Sequence, residues 1–381
     1  MTYNSYQLQE VCSFIDYRGK TPPKTTEGIP LITAKIIKNG TILAPQEFIA
    51  ADYYDDWMRR GIPKKWSIVF TTEAPLGEVA QIKTVERIAF AQRVIVMEPN
   101  PDILNANYLL YALQDQVLKE RIKARATGTT VIGIKAAELK KVTIDLPPLD
   151  VQKDISDILR SFDDKIELNQ KINKNLERQT QAIFESWFTG KREINGCLAD
   201  ICQYSKEKVA VSSLDLESYY STENMLPGKA GATQAASLPT TTQTTKCNVG
   251  DVLVSNIRPY FKKIVYCHAD CGCSTDVLCF APKKQELSAY LFFLLYADSL
   301  FDFMVAGSKG TKMPRGDKQQ IMMYPVYVPS DEELMAFNRV AQPVMKQVQF
   351  NREENKRLIA LRDTLLPKLM TGEIDIKDVN L

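Results

Sequence analysis

The chain has 381 residues, 45% apolar and 25% charged, with 48 Lys and Arg against 46 Asp and Glu for a net charge of +2. This is the composition of an ordinary globular protein of two or three domains, and it excludes a disordered or fibrous chain and a protein that coats polyanions with its whole surface. No charged leader followed by an apolar core opens the sequence and no apolar run could span a bilayer, so a cytoplasmic chain with no membrane contact and eight reduced cysteines is expected.

Over the first 145 or so residues, short β-branched and aromatic runs (67–72, 94–97) are punctuated by Gly, Pro and Asn, the pattern of strands in a compact α+β unit. An amphipathic helix over 107–123, a polar glycine loop at 126–133 and a strand at 142–146 ending in proline follow. Residues 151–188 contain neither Gly nor Pro. Ile155, Phe162, Asn169, Leu176 and Ile183 lie beside Leu159, Ile166, Asn173, Thr180 and Trp187 at heptad spacing, which predicts a coiled-coil helix. Its length at 1.5 Å per residue is roughly 55 Å.

The same order then recurs. Strands at 252–255 and 277–280 precede a helix over 287–305, a glycine loop at 306–316, a strand at 324–328 and a second long helix. Its seams are Phe337, Val344, Asn351, Leu358 and Leu365 beside Ala341, Val348, Asn355, Arg362 and Leu369, and Pro343 is expected to kink or restart it. The recurrence has a fixed shift of 182. Tyr108-Leu109 falls on Tyr290-Leu291, Gly128-Thr129 on Gly310-Thr311, Pro147 on Pro329, and Thr189-Gly190 on Thr371-Gly372. A gapless register across so many positions marks a tandem duplication.

The duplication divides the chain into two α/β globules, 1–146 and 191–328, each followed by a helical segment, 147–190 and 329–381. Asn169 and Asn173 match Asn351 and Asn355, and asparagine within an apolar seam accepts only a register that pairs it with another polar group. Antiparallel packing of the two helices would relate the globules by a pseudo-two-fold axis, at opposite ends of a rod about 50 Å long. Such a rod suits two sites along one face of B-DNA, whose helical turn is about 34–36 Å.

Catalytic constellations are missing. Gly19-Lys20-Thr21 resembles the end of a phosphate-binding loop, but Phe14 stands where its first glycine is needed. Pro101-Asp102 with Glu138-Leu139-Lys140 forms a loose nuclease-like set with no counterpart in the second copy. His268 is the single histidine, which disfavours imidazole acid–base chemistry. Cys267, Cys271, Cys273 and Cys279 lack paired Cys-x-x-Cys spacing and have no partners in the first copy, so they read as buried thiols without a metal.

Basic residues instead gather in patches. The first copy has Lys64 and Lys65 beside Trp66, with Thr71 and Thr72 at the end of a strand, and Arg125 entering the loop that carries Thr129 and Thr130. The second has Asn256, Arg258, Tyr260, Lys262 and Lys263, then Lys309, Lys312 and Arg315 around the matching loop. Glycine-rich basic loops let backbone approach phosphates, while Arg and Asn suit base edges.

Three stretches carry a family resemblance. Leu146-Pro-Pro-Leu-Asp-Val-Gln152, Phe162-Asp-Asp-Lys-Ile-Glu-Leu-Asn169 and Gln181-Ala-Ile-Phe-Glu-Ser-Trp-Phe188 resemble the central conserved region of Type I restriction–modification specificity subunits. Leu361-Arg-Asp-Thr-Leu-Leu-Pro-Lys-Leu-Met-Thr-Gly-Glu373 resembles their C-terminal conserved region. The resemblance implies a non-catalytic subunit with two target recognition domains, each reading half of a bipartite site in double-stranded DNA. It further implies docking to two methyltransferase subunits, which carry S-adenosylmethionine, and to restriction subunits, which use ATP and Mg. No cofactor is implied for this chain itself. An orphan DNA-binding regulator or decoy is the alternative, and recovery of a methyltransferase from native lysate separates the two.

Overall fold

The computed structural model describes residues 2–374 and 376, apart from 18, 20, 39, 191 and 192. Lys20 of the Gly19-Lys20-Thr21 triplet and the last five residues therefore lie outside the described residues. Two compact units emerge, each discontinuous in sequence. One comprises residues 1–167 and 355–381, and the other 168–354.

Unit 1 is built on a four-stranded antiparallel sheet in the order Cys12–Asp16, Val94–Pro99, Ile68–Thr72, Leu76–Gln81. Unit 2 repeats that order with Cys202–Tyr204, Val277–Pro282, Val252–Ser255 and Ile264–Tyr266. The central strands are buried on both faces, so they are continuous apolar runs whose alternate residues enter different cores. Ile68, Phe70, Ile95 and Met97 join the helical core of unit 1, whereas Val69, Val94 and Val96 join a second core on the far face. In unit 2, Val252, Val254, Leu278 and Phe280 face the helices, and Leu253, Val277 and Cys279 the far side. Each large side chain so buried is worth roughly 1.5–3 kcal/mol.

The helices correct the sequence reading in two places. The single helix expected over 107–123 is a pair, Ala106–Gln114 and Gln116–Ala124, and its counterpart is Ser288–Tyr296 and Asp298–Ala306, both at the shift of 182. The chain turns at Asp115, whose carboxylate accepts from the Val117 amide at 3.0 Å, and at Ala297, where the helices meet at 66°. Ser288–Tyr296 is not amphipathic: every residue from Ser288 to Leu295 is buried. No single helix among the described residues is long and apolar enough to cross a membrane.

The second correction concerns Pro343. Asp331–Thr371 is one helix of 41 residues and does not restart there, just as Leu149–Phe188 is one helix of 40. Pro343 sits on the exposed side, as does Arg339 one turn earlier, so water can satisfy the carbonyl that loses its amide partner.

Each unit contains one stretch of each long helix, packed antiparallel. In unit 1, Ile155 and Leu159 share a core with Leu366 and Leu369, Asn355 donates to the Ile166 carbonyl at 3.5 Å, and Arg362 pairs with Asp163 at 2.5 Å. In unit 2, Asn351 donates to Asn173 Oδ1 at 2.7 Å, Asn173 to the Val348 carbonyl at 3.2 Å, and Asn169 to Glu354 at 2.7 Å. All four asparagines are at most 9% exposed. The heptad seam fails at its end, where Trp187 is 38% exposed while Phe184 and Phe188 are buried. A straight helix at 3.6 residues per turn drifts away from a strict seven-residue stripe, so the buried face moves to the neighbouring positions.

Candidate nucleic-acid interface

In each unit, a strand end, an X-Pro corner and the glycine loop converge at one end of the main sheet. The Ile68–Thr72 and Val252–Ser255 strands run into an X-Pro corner, where Ala74 (φ 48°) precedes Pro75 and Arg258 (φ 49°) precedes Pro259. Left-handed backbone at a non-glycine residue is costly and persists only where surrounding bonds enforce it. Thr71 Oγ1 donates to the Pro75 carbonyl at 2.6 Å and accepts from the Glu78 amide at 2.9 Å, and Ser255 Oγ donates to the Ile257 carbonyl at 3.1 Å.

The glycine loop packs onto this corner. In unit 1, Thr127 and Gly133 exchange backbone hydrogen bonds of 2.8 and 2.9 Å, and Gly133 bridges to Glu73. In unit 2, Lys309 and Arg315 exchange bonds of 2.9 and 3.0 Å, Arg315 bridges to Ile257, and the Arg258 amide donates to the Pro314 carbonyl at 2.8 Å. Gly128 must be glycine, because a Cβ there would lie 2.1 Å from the Val131 carbonyl oxygen. An ion pair ties down each loop or its neighbour with opposite polarity: Arg93 to Glu73 at 2.9 Å in unit 1, and Arg315 to Asp276 at 3.0 Å in unit 2. What remains exposed is the tip, Thr129, Thr130, Val131 and Ile132 in unit 1 and Thr311, Lys312 and Met313 in unit 2. Beneath the unit 1 loop lies a cavity of about 360 Å³ that Glu73, Arg93, Thr127 and Val131 help to line.

Residues 2–178 match the Type I restriction modification DNA specificity domain. The match covers a little under half of the chain. The MjaIX specificity subunit of a Type I restriction enzyme from Methanocaldococcus jannaschii is 32% identical over 124 residues, covering 32% of this chain and 28% of that protein. The HindI specificity subunit of Haemophilus influenzae is also 32% identical, over 27% of this chain and 23% of the relative. These two matches thus span about a quarter of each relative's length. The MjaX specificity subunit of M. jannaschii is 22% identical over 92% of this chain and 88% of its own length. A Type-I restriction-modification S subunit from M. genitalium shares the fold, with a TM-score of 0.57 at 18% identity over 97% of this chain and 96% of that one.

The expected contact residues separate into three groups. Thr129, Thr130 and Lys312 stand exposed at the loop tips, and Tyr260 is 49% exposed beside the corner of unit 2. Several basic residues are exposed yet engaged: Arg125 with Glu138 at 3.0 Å, Lys64 with Glu98 at 3.6 Å, Lys309 with Asp317 at 2.8 Å, and Lys65 over the Trp66 ring at 4.6 Å. Bonds from Lys141 and Arg125 hold the Glu138 carboxyl below its usual range, and the Lys309 bond does the same for Asp317. Glu138 is thus committed to basic neighbours rather than to a nuclease-like set. Lys64 and Lys65 line a separate cavity of about 590 Å³ with Trp66, Leu104 and Leu149.

The third group is buried or bonded within its own unit. Thr71 and Thr72 are 0% and 2% exposed and hold the corner rather than reach outward. Asn256 is 7% exposed, its backbone N–H donating to the Asp276 carbonyl and its backbone carbonyl accepting from the Gly316 N–H, so its main chain anchors the loop's base. Lys262 pairs with Asp298 at 3.0 Å, and Lys263 donates to the Thr222 carbonyl at 2.5 Å, where burial lowers its pKa. Basic, amide and hydroxyl side chains near a turn suit DNA, but composition does not show which way they point. Conversely, exposed Val131 and Met313, 52% and 51% accessible, occupy the same place in the two copies and were missed. The 182-residue shift aligns them and was the available signal.

Proposed function

We propose that the chain is a non-catalytic DNA-reading subunit of a Type I restriction–modification assembly, in which each glycine loop and its X-Pro corner reads one half of a bipartite site. The observation that carries this reading is the duplicated tip: a rigid, backbone-bonded hairpin presenting Thr129–Thr130 in one copy and Thr311–Lys312 in the other. Pinned loops lose little entropy on binding, and their exposed hydroxyl, ammonium and apolar groups suit base edges, phosphates and thymine methyls. Phosphate attraction supplies affinity, while the divergent tips supply different half-sites. The asparagine-keyed helices fix the register between helical stretches and offer a docking surface for two methyltransferase subunits. S-adenosylmethionine, ATP and Mg belong to those subunits and to restriction subunits.

The test is selection of bound duplexes from a random pool by the full chain with its methyltransferase subunits. A bipartite site with an unread gap is expected. Exchange of residues 1–146 for another such domain should alter one half only. A single contiguous site, or both halves changing, defeats the reading.

A further inference from the structure

Five of the eight cysteines lie together in the far-face core of unit 2: Cys247, Cys267, Cys271, Cys273 and Cys279. Four strands bring them there. Cys247 ends the strand Gln243–Cys247 and lies opposite Cys271 in its antiparallel ladder with Cys271–Cys273. Cys267 follows Ile264–Tyr266 and is separated from Cys271 by a three-residue turn, and Cys279 lies in Val277–Pro282. The Cys247 thiol donates to the Thr245 carbonyl at 3.7 Å and packs in the same core as the other four. No three His, Cys, Asp or Glu side chains among the described residues are arranged to hold a metal ion.

One contact stands apart. The sulfurs of Cys267 and Cys271 are 3.6 Å apart, close enough for small side-chain rotations to bring them to bonding distance. We propose that Cys267 and Cys271 are a peroxide-sensitive dithiol that closes to a disulfide in the folded protein. The neighbouring Cys247 and Cys267 thiols hold the Cys271 thiol below its usual range, so Cys271 is the thiolate and Cys267 the resolving thiol. The Cys271 thiolate sulfur attacks one oxygen of hydrogen peroxide, the O–O bond breaks, and hydroxide leaves with the electron pair. Cys271 is then a sulfenic acid. Cys267 sulfur attacks it, the S–O bond breaks, the hydroxyl and the Cys267 proton depart as water, and the S–S bond forms. The two sulfurs together lose two electrons to the peroxide. Both are nearly buried, at 2% and 5% exposure, which admits a small neutral oxidant through local opening while excluding bulky disulfides.

The experiment treats the folded full chain with hydrogen peroxide, blocks remaining thiols by alkylation after unfolding, and maps the peptides. Cleavage before Asp270 separates Cys267 from Cys271, so their bond appears as two peptides that part only on reduction. Two thiols per chain should be lost, both from this pair, and be recovered with dithiothreitol. Cys12 and Cys202 are the internal controls: burial pushes Cys12 up to about 12 and raises Cys202 as well, so both should stay reduced. Cys267→Ser should stop at a sulfenic acid on Cys271 that dimedone captures, and Cys271→Ser should lose no thiol. A different first pair, or no loss until the protein is unfolded, overturns the proposal. The wild-type map decides this alone should either variant fail to fold.

Discussion

The two units share a strand order but fill it differently. On the far face of the main sheet, unit 1 packs Tyr17, Leu31, Ile32, Ile49 and Phe90 against Val69, Val94 and Val96. Unit 2 packs cysteines there, and Cys279 takes the place of Val96. On the helical face, three positions related by the shift of 182 differ as a set. Unit 1 has Tyr111 donating to Asp163 at 2.7 Å and Arg362 paired with the same carboxylate, whereas unit 2 has Phe293, Met345 and Thr180. Backbone topology survived duplication because sheet order depends on alternating apolar positions, which both copies keep. Interior chemistry diverged in groups, because a lone member of a polar set cannot be replaced without stranding its partners.

That comparison can be broken most directly at the polar set. Arg362→Thr leaves Asp163 without its cation in a half-buried seam and should cost about 3 kcal/mol in a urea unfolding experiment. The triple variant Tyr111→Phe, Asp163→Met, Arg362→Thr installs unit 2's residues and should recover most of that loss. A triple variant less stable than the single one would show that the two interiors are not interchangeable sets. A second test uses the asparagines. Asn351→Ala strands Asn173 Oδ1 in a buried seam and should cost about 1–3 kcal/mol, while leucine at both positions should restore the unfolding midpoint.

How much of this was legible beforehand depends on whether the signal was periodic. The duplication, the long helices and their buried asparagines follow from spacing alone, and the seam failed only where drift moved burial from Trp187 to Phe184 and Phe188. The break at Asp115 was visible in principle as an N-cap residue, but its counterpart Ala297 carries no such signal. The short helices Ala136–Lys140 and Lys318–Met322 fell below the length at which periodicity speaks. The two glycine loops form where the repeat spacing puts them, but some of the side chains singled out beside them turn inward. Thr71 and Asn256 precede exposed Ala74 and Tyr260 by a few residues but are themselves buried, a distinction set by tertiary packing. Cys247, twenty residues before Cys267, joined the thiol cluster only through strand pairing.

A smaller effect separates the units by pH. His268, in unit 2, is the single histidine, and burial with the nearby Arg352 charge lowers its pKa to about 4, Glu353 opposing. Its unfolded value is near 6.5, so the unfolded chain binds more protons between those limits and stability falls as pH drops through that window. Wild type should lose on the order of 1–2 kcal/mol more than His268→Phe between pH 7 and pH 4. Equal losses in the two proteins would show that the imidazole stays neutral for no energetic reason.

The smallest expected effect is also the one that ties the comparison to DNA. Lys312 stands at the unit 2 tip where unit 1 has Thr130, and no acidic partner neutralises its charge among the described contacts. Lys312→Ala should reduce the slope of log affinity against log salt by about one and weaken binding by about fivefold, without changing the preferred sequence at the unit 1 half-site. Thr130→Lys should steepen the slope by about the same amount. Lys309→Ala is the contrast, since that ammonium is already paired with Asp317 and surrenders less to phosphate. If Lys309 and Lys312 shifted the slope equally, pairing within the loop would not govern which charges reach the duplex. If neither did, phosphate contact would have to lie elsewhere on the unit.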